Sequence, residues 1–419
     1  MTADKPSLFV PRLRFPEFED GPRWNELPLS SASDLNPPNE GLPESFIYID
    51  LESVKNGILV ERREIARDTA PSRAQRLLRR KDIIYQTVRP YQRNNLLFDI
   101  DDGYEYVAST GYAQLRAHGC PEFLYQLVHT DSFVNSVLAQ CTGSNYPAIN
   151  SSDLASIYVA LPQNPEQQKI ADCLGSLDDL MAAEGWKLQA LRQHKQGLMQ
   201  QLFPQPGETV PRLRFPEFQD APDWKIGPCR DIAEVLPGYG FPDKFQGNKK
   251  GQYPFYKVSD ISHAVEKGQR YISEANNYID SDALDEIRGK PVPAGTIIFA
   301  KIGEAIRSNR RVVTTTSAVI DNNTAGVKAI KTKSADEFLF YLWSNVSLID
   351  HAGGVVPAVS KSALENVPLC YPSDPKEQQR IADCLSTLDD QIGVQARKLD
   401  TLKQHKQGLL QKLFPSFEG

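Results

Sequence analysis

Residues 166–204 read EQQKIADCLGSLDDLMAAEGWKLQALRQHKQGLMQQLFP, and residues 377–415 read EQQRIADCLSTLDDQIGVQARKLDTLKQHKQGLLQKLFP. At an offset of 211, 24 of the 39 positions are identical. Apolar residues recur in a 4-3-4 rhythm: Ile170, Leu174, Leu177, Met181, Leu188, Leu191, Leu198 and Leu202 in the first copy, Ile381, Leu385, Leu388, Ile392, Leu399, Leu402, Leu409 and Leu413 in the second. This is a heptad seam, and it predicts two long helices. Asn164-Pro165 and Asp374-Pro375 act as start signals, a capping side chain followed by proline in the first turn. Gln167 and Glu377 stand where they could reach back to the cap. Pro204 and Pro415 end the pattern because proline cannot continue a helix.

Both seams break at matching positions, at Glu184 and Lys195 in one and at Gln395 and Lys406 in the other. Matching breaks imply that the helices pair with each other as a coiled coil. A second repeat supports the same plan. Residues 10–24, VPRLRFPEFEDGPRW, return as 210–224, VPRLRFPEFQDAPDW, with 12 of 15 positions identical. The chain therefore reads as a duplication with an internal pseudo-twofold axis, which requires the helices to be antiparallel. Full overlap of antiparallel seams would set Glu184 near Lys406 and Gln395 near Lys195. Helices of this length span about 55 Å. The expected divisions are an opening repeat (1–24), a globular block (25–162), a central helix (163–204), a second opening repeat (205–224), a second block (225–372), a distal helix (373–415) and a tail (416–419).

The composition fits this plan. The chain has 419 residues, 40% hydrophobic and 24% charged, long enough for two or three domains with real cores. Mean hydropathy is −0.42, and no apolar run reaches membrane-spanning length. The start shows no secretory pattern, and the six cysteines form no CxxC pair, which points to a reducing cytoplasm. A net charge of −6 excludes a uniformly basic coat but allows local basic patches.

Both blocks read as mixed α/β domains of one fold. Strand-like runs lie at Phe46–Ile49, Lys81–Tyr85, Ile157–Leu161, Tyr253–Val258, Gly295–Phe299 and Arg311–Thr316. Helical patterns cover Pro121–Leu138 and Ala335–Asp350, followed by turns at Gly143-Ser144 and Gly353-Gly354. Basic clusters follow corresponding strands. Arg62 to Lys81 holds eight cations against two acids, Lys244 to Arg270 holds six against two, and Lys301 to Arg311 holds four against one. Such loops mix cations for phosphates with Gln, Asn and Arg forks for base edges. The candidate DNA contacts are Arg62, Arg63, Arg73, Arg76, Arg79, Arg80, Lys81, Gln86, Arg89, Tyr91, Arg93, Asn94 and Asn95 in the first block. In the second they are Lys249, Lys250, Lys257, Lys301, Arg307, Ser308, Asn309, Arg310 and Arg311.

No catalytic residues and no metal site are assigned. Asn36-Pro37-Pro38-Asn39 lacks the aromatic fourth residue that stacks on a flipped base, and Gly238-Tyr239-Gly240 is an isolated G-x-G; both read as turns. There is no phosphate loop, HExxH or GxSxG. His194 and His405 are copies of each other on the helices, which fits a helix surface better than catalysis.

The doubled Glu-Gln-Gln opening, the long helix ending Leu-Phe-Pro and the PRLRFPEF segment before Trp resemble the specificity subunit of type I restriction–modification systems. The resemblance covers the whole chain, although the family's usual Pro-Pro-Leu before Glu-Gln is replaced by LeuProGlnAsnPro and TyrProSerAspPro. It implies that the two blocks are target-recognition domains, each reading half of a bipartite, asymmetric double-stranded DNA site. The paired helices would be spacer and dock for two methyltransferase subunits, with restriction/translocase subunits joining through them. It implies no catalysis and no cofactor on this chain, S-adenosylmethionine, ATP and Mg residing on partners, and no membrane. A DNA-binding transcription regulator or adaptor with two DNA-binding modules is the other reading of the same residues.

Overall fold

The computed structural model describes residues 10–143 and 145–415. Residues 1–9 of the opening repeat, Ser144 of the Gly143-Ser144 turn and the 416–419 tail lie outside the described residues. The chain forms two compact units, one comprising Met1–Gly185 with Lys398–Gly419 and the other Trp186–Arg397. Among the described residues no helix is long and apolar enough to cross a membrane.

The two predicted long helices run from Asn164 to Leu202 and from Pro375 to Leu413, and each ends one residue before the Phe-Pro stop. Each contributes one part to each unit. Within both units the two helices run antiparallel, and every seam residue is buried or half-buried. The polar breaks are arranged differently from the expectation. Lys406 reaches Asp178, at 2.6 and 2.7 Å, while Glu184 pairs with Lys398. In the other unit Lys195 reaches Asp389 at 2.5 Å. A lysine stem spans about a turn of the facing helix, so the seam cations select carboxylates beside the seam rather than the opposite break.

The helix starts also differ from the capping-box expectation. Glu377 turns away from its cap, and its neighbours Asp374 and Lys376 make the cap contact, with the Lys376 N–H donating to Asp374 Oδ1 at 2.9 Å. Gln167 donates instead to the Pro162 carbonyl at 2.9 Å and accepts from the Cys120 N–H at 3.2 Å. Gln167 thus binds the helix start to the domain before it.

Both units have the same layout. The strand after each opening repeat pairs antiparallel with the strand before each long helix: Asn25–Pro28 with Tyr158–Leu161, and Lys225–Pro228 with Pro368–Tyr371. In the first unit one sheet has the order Ser33–Leu35, Tyr112–Ala117, Asp82–Gln86, Leu96–Phe98. The second unit repeats it as Ala233–Pro237, Thr324–Ala329, Ile297–Ala300, Arg311–Thr314, with Tyr271–Ile272 added at the edge. A further sheet in each unit contains a parallel pair, Ser45–Ile49 with Tyr106–Ser109 and Tyr253–Tyr256 with Val319–Ile320. Three expected elements are divided. Val258 opens a helix instead of extending the strand, because Asp260 Oδ2 accepts from the Lys257 N–H at 2.8 Å. The Pro121–Leu138 pattern splits into Pro121–Leu127 and Asp131–Gln140, since Thr130 caps the second piece through the Phe133 N–H. Likewise Ala335–Asp350 becomes a helix over Asp336–Ser344 and a 3-10 turn over Leu348–His351.

The Leu-Phe-Pro helix ends plug the cores. Leu413 and Phe414 join Trp24, Phe123, Ile170 and Leu174 in the first unit, with Phe123 and Phe414 5.2 Å apart. Leu202 and Phe203 join Trp224, Phe338, Ile381 and Leu385 in the second, with Phe203 and Phe338 6.0 Å apart. Burying a Phe or Leu side chain contributes about 1.5–3 kcal/mol, so these ends act as anchors.

Candidate nucleic-acid interface

In each unit the strand at the centre of the repeated sheet ends in the same loop. In the first, Asp82–Gln86 runs into a 3-10 turn at Pro90–Gln92, bounded by Arg89 and Arg93, both at φ 54°. In the second, Ile297–Ala300 runs into a 3-10 turn at Glu304–Ser308, bounded by Gly303 at φ 83° and Asn309 at φ 50°. The Arg89 N–H donates to the Pro147 carbonyl and the Gly303 N–H to the Pro357 carbonyl, each at 2.7 Å. These hydrogen bonds tie each loop to the turn region marked by Gly143 or Gly354.

Several candidate side chains hold these loops in shape. Gln86 donates to Val88 O at 2.7 Å and Gln92 Oε1 at 2.9 Å, and accepts from the Asn94 N–H at 3.2 Å. Asn95 accepts from the Gln86 N–H at 2.8 Å, and its Nδ2 lies 3.3 Å from His129 Nε2. Asn94 Oδ1 accepts from the Asn56 N–H at 3.2 Å. Arg93 donates to His129 O at 3.0 Å and Asp131 Oδ1 at 2.5 Å. In the second unit Asn309 donates to Val346 O at 3.0 Å. Arg311 is buried and donates to Ser344 O at 3.2 Å, Asn309 Oδ1 at 3.0 Å and Val346 O; burial pushes its pKa down to about 9. Ser308 donates back to Ala305 O at 2.7 Å.

Other candidates meet acids, most of them outside the basic runs to which the candidates belong. Arg62 pairs with Asp102 at 2.7 Å, Arg80 with Asp99 and Asp101, and Lys81 with Asp99 and Glu122 at 2.7 Å. Arg307 pairs with Glu304 at 2.9 Å and Arg310 with Glu266 at 2.8 Å. Arg76 is half-buried, and its Nε has no hydrogen-bond partner among the described residues. Arg63, Arg73, Arg79, Tyr91, Lys249 and Lys250 are exposed, Lys249 donating to Asn276 O at 3.2 Å. Arg89 lies over the Tyr146 ring at 4.4 Å. Lys257 lies 4.9 Å over Phe241, which stacks on Phe255 at 3.8 Å. Lys301 is half-buried, and burial lowers its pKa against the pull of Asp321.

The two units thus carry one scaffold and different loop side chains. Residues 48–193 and 222–404 both match the type I restriction modification DNA specificity domain. The chain belongs to that family. Similar proteins include the putative type I restriction enzyme MjaX specificity subunit of Methanocaldococcus jannaschii, 24% identical over 278 residues, or 64% of this chain and 61% of that one. The MjaIX specificity subunit of the same organism is 23% identical over 300 residues, covering 70% of this chain and 68% of that one. The match to MjaX therefore spans about three fifths of its length. Among solved structures, the S subunit of a type I restriction–modification system from M. genitalium shares the fold, with a TM-score of 0.61 at 14% identity, over 97% of this chain and 99% of that one. A chain from work on complex assembly and conformational transition of the type I system gives 0.56 at 21% identity, over 93% and 97%.

In this member of the DNA specificity family, the opening repeats have a role that the sequence reading missed. Arg14 forms a two-pronged ion pair with Glu166 at 2.7 and 2.6 Å, and the Trp24 indole N–H donates to the same carboxylate at 3.3 Å. Arg214, Glu377 and Trp224 repeat it at 2.7, 2.8 and 3.1 Å. The available signal was that both opening repeats keep the Arg and the Trp, and both long repeats open on the Glu. Tyr146 was missed as well, since only the fold brings it beneath Arg89.

Proposed function

We propose that this chain is the non-catalytic recognition subunit of a type I restriction–modification complex. Each unit reads one half of a bipartite, asymmetric DNA target. The observation that carries this reading is the double match to a DNA specificity domain, falling on two units of one scaffold whose loop side chains differ. The long helices dock two methyltransferase subunits, and restriction/translocase subunits join through these. S-adenosylmethionine, ATP and Mg belong to those partners, and the assembly works in the cytoplasm, where the host chromosome lies. The phosphate contacts come from exposed cations such as Arg63, Arg73, Lys249 and Lys250, and the base contacts from the strand-end loops.

The test is to express the chain with its methyltransferase partner and sequence the host methylome. Adenine methylation at a split, asymmetric motif is expected. Exchanging residues 25–162 for another recognition domain should change one half of that motif only. Methyl transfer by the chain alone, or a change in both halves, would overturn the reading.

A further inference from the structure

We infer that Arg89 is a base-reading side chain of the first specificity domain, aimed at a guanine and fixed in plane by Tyr146; this rests on the DNA-recognition reading above. Arg89 has φ 54°, a region that residues bearing a Cβ disfavour. The corresponding loop residue of the second unit is Gly303, also at positive φ, 83°, but with ψ −173° against 56° at Arg89, and with no atom within 4 Å of where a Cβ would stand. Glycine adopts either of these positive-φ conformations without strain. The first unit keeps an arginine there, so its side chain is not what shapes the loop.

The strain cannot relax, because the loop is pinned on both sides. The Arg89 N–H is bonded to Pro147 O at 2.7 Å, and Arg93, four residues on, is clamped to His129 and Asp131. The guanidinium stacks over Tyr146 at 4.4 Å, and among the described residues it has neither a carboxylate partner nor a hydrogen-bond acceptor. Its neighbours differ: Arg62, Arg80, Lys81 and Arg93 each meet an acid. Tyr146 is 63% exposed and Tyr91 51%, so this platform faces solvent.

Stacking holds the plane of a guanidinium and leaves its edge donors free. A phosphate contact needs charge and tolerates a mobile side chain, whereas guanine O6 and N7 need two parallel donors in a fixed plane. A fork seated over an aromatic ring, with no acid partner among the described residues, fits the second requirement. The second unit has no side chain at this position, so its half-site is read without this device.

The test uses the full chain with its methyltransferase partner. Arg89→Gly installs the residue that the other unit carries and should fold. The methylome should then show one G·C position relaxed in one half-site, discrimination there falling by roughly 5- to 150-fold, the equivalent of one lost bidentate contact. Arg89→Lys keeps the charge but loses the fork and should relax the same position. Tyr146→Leu should relax it partly. An unchanged motif, or uniformly weaker methylation with the motif intact, would overturn the assignment and make Arg89 at most a phosphate contact. Absence of split-motif methylation with the wild-type chain would instead overturn the recognition reading, and this inference with it.

Discussion

Lys406 and Asp178 are joined at 2.6 Å in the first unit, and the residues 211 positions removed from each, Lys195 and Asp389, are joined at 2.5 Å in the second. Each carboxylate also holds its own domain. Asp178 accepts from Gln126 Nε2 at 2.8 Å, and Asp389 accepts from the Tyr341 hydroxyl at 2.6 Å. One acid therefore fastens two helices and a globular domain at a single point. Lys406→Met should lower the stability of the first unit by about 1 kcal/mol, since the pair is partly exposed. A double-mutant cycle with Asp178→Asn, followed by denaturant unfolding, should give a coupling term of at least about 0.5 kcal/mol.

The Arg14–Glu166 pair is more deeply buried, with side-chain exposures of 8% and 3%. Removing one member leaves a buried charge without its partner. Arg14→Met and Glu166→Gln should each cost about 3–5 kcal/mol in the first unit. Arg214→Met should do the same in the second. Calorimetry that resolves the two units would show which transition moves.

His129 sets a pH dependence. Its Nδ1 lies 2.6 Å from the Tyr125 carbonyl, so the ring donates there and accepts from Asn95 at Nε2. Burial pushes its pKa down to about 4 from an ordinary 6.5. The neutral ring is the folded form, so its contribution is complete above pH 6.5 and is lost as pH falls toward 4, by up to about 1.4 kcal/mol per unit. Stability measured across that window should fall more steeply in the wild type than in His129→Gln. Equal slopes would refute the assignment.

The exposed cations give a third kind of readout. Arg73→Gln and Lys250→Gln should weaken binding of the assembled complex on every DNA sequence. Each should reduce the slope of log affinity against log salt by about one. A change of motif in either variant would place it among the base contacts instead.

The seams, the duplication and the strands leading into the loops were all legible in the sequence, because periodicity and repetition are local properties. Partnerships across the fold were not. Arg14 and Glu166 sit in two conspicuous repeats, yet 152 residues separate them. The run from Arg62 to Lys81 looked strongly basic because Asp99, Asp101, Asp102 and Glu122 come later in the chain and are brought beside it by folding. Arg311 and Gln86 carry groups suited to base edges, but sequence alone does not say which way a strand-end side chain turns. Both turn inward, where unmet backbone carbonyls demand donors.

Leu413 and Phe414 belong to the core of the first unit, so of the two units the one whose synthesis starts earlier is finished later. The second unit is a single uninterrupted stretch, complete at Arg397, and its nucleus can close while the first unit still lacks its plug. Until then, Trp24 and Phe123 wait with an open apolar socket, the kind of surface that holdase chaperones bind. A premature stop near residue 398 would therefore disable the half of the protein farthest from it in sequence and spare the half next to it.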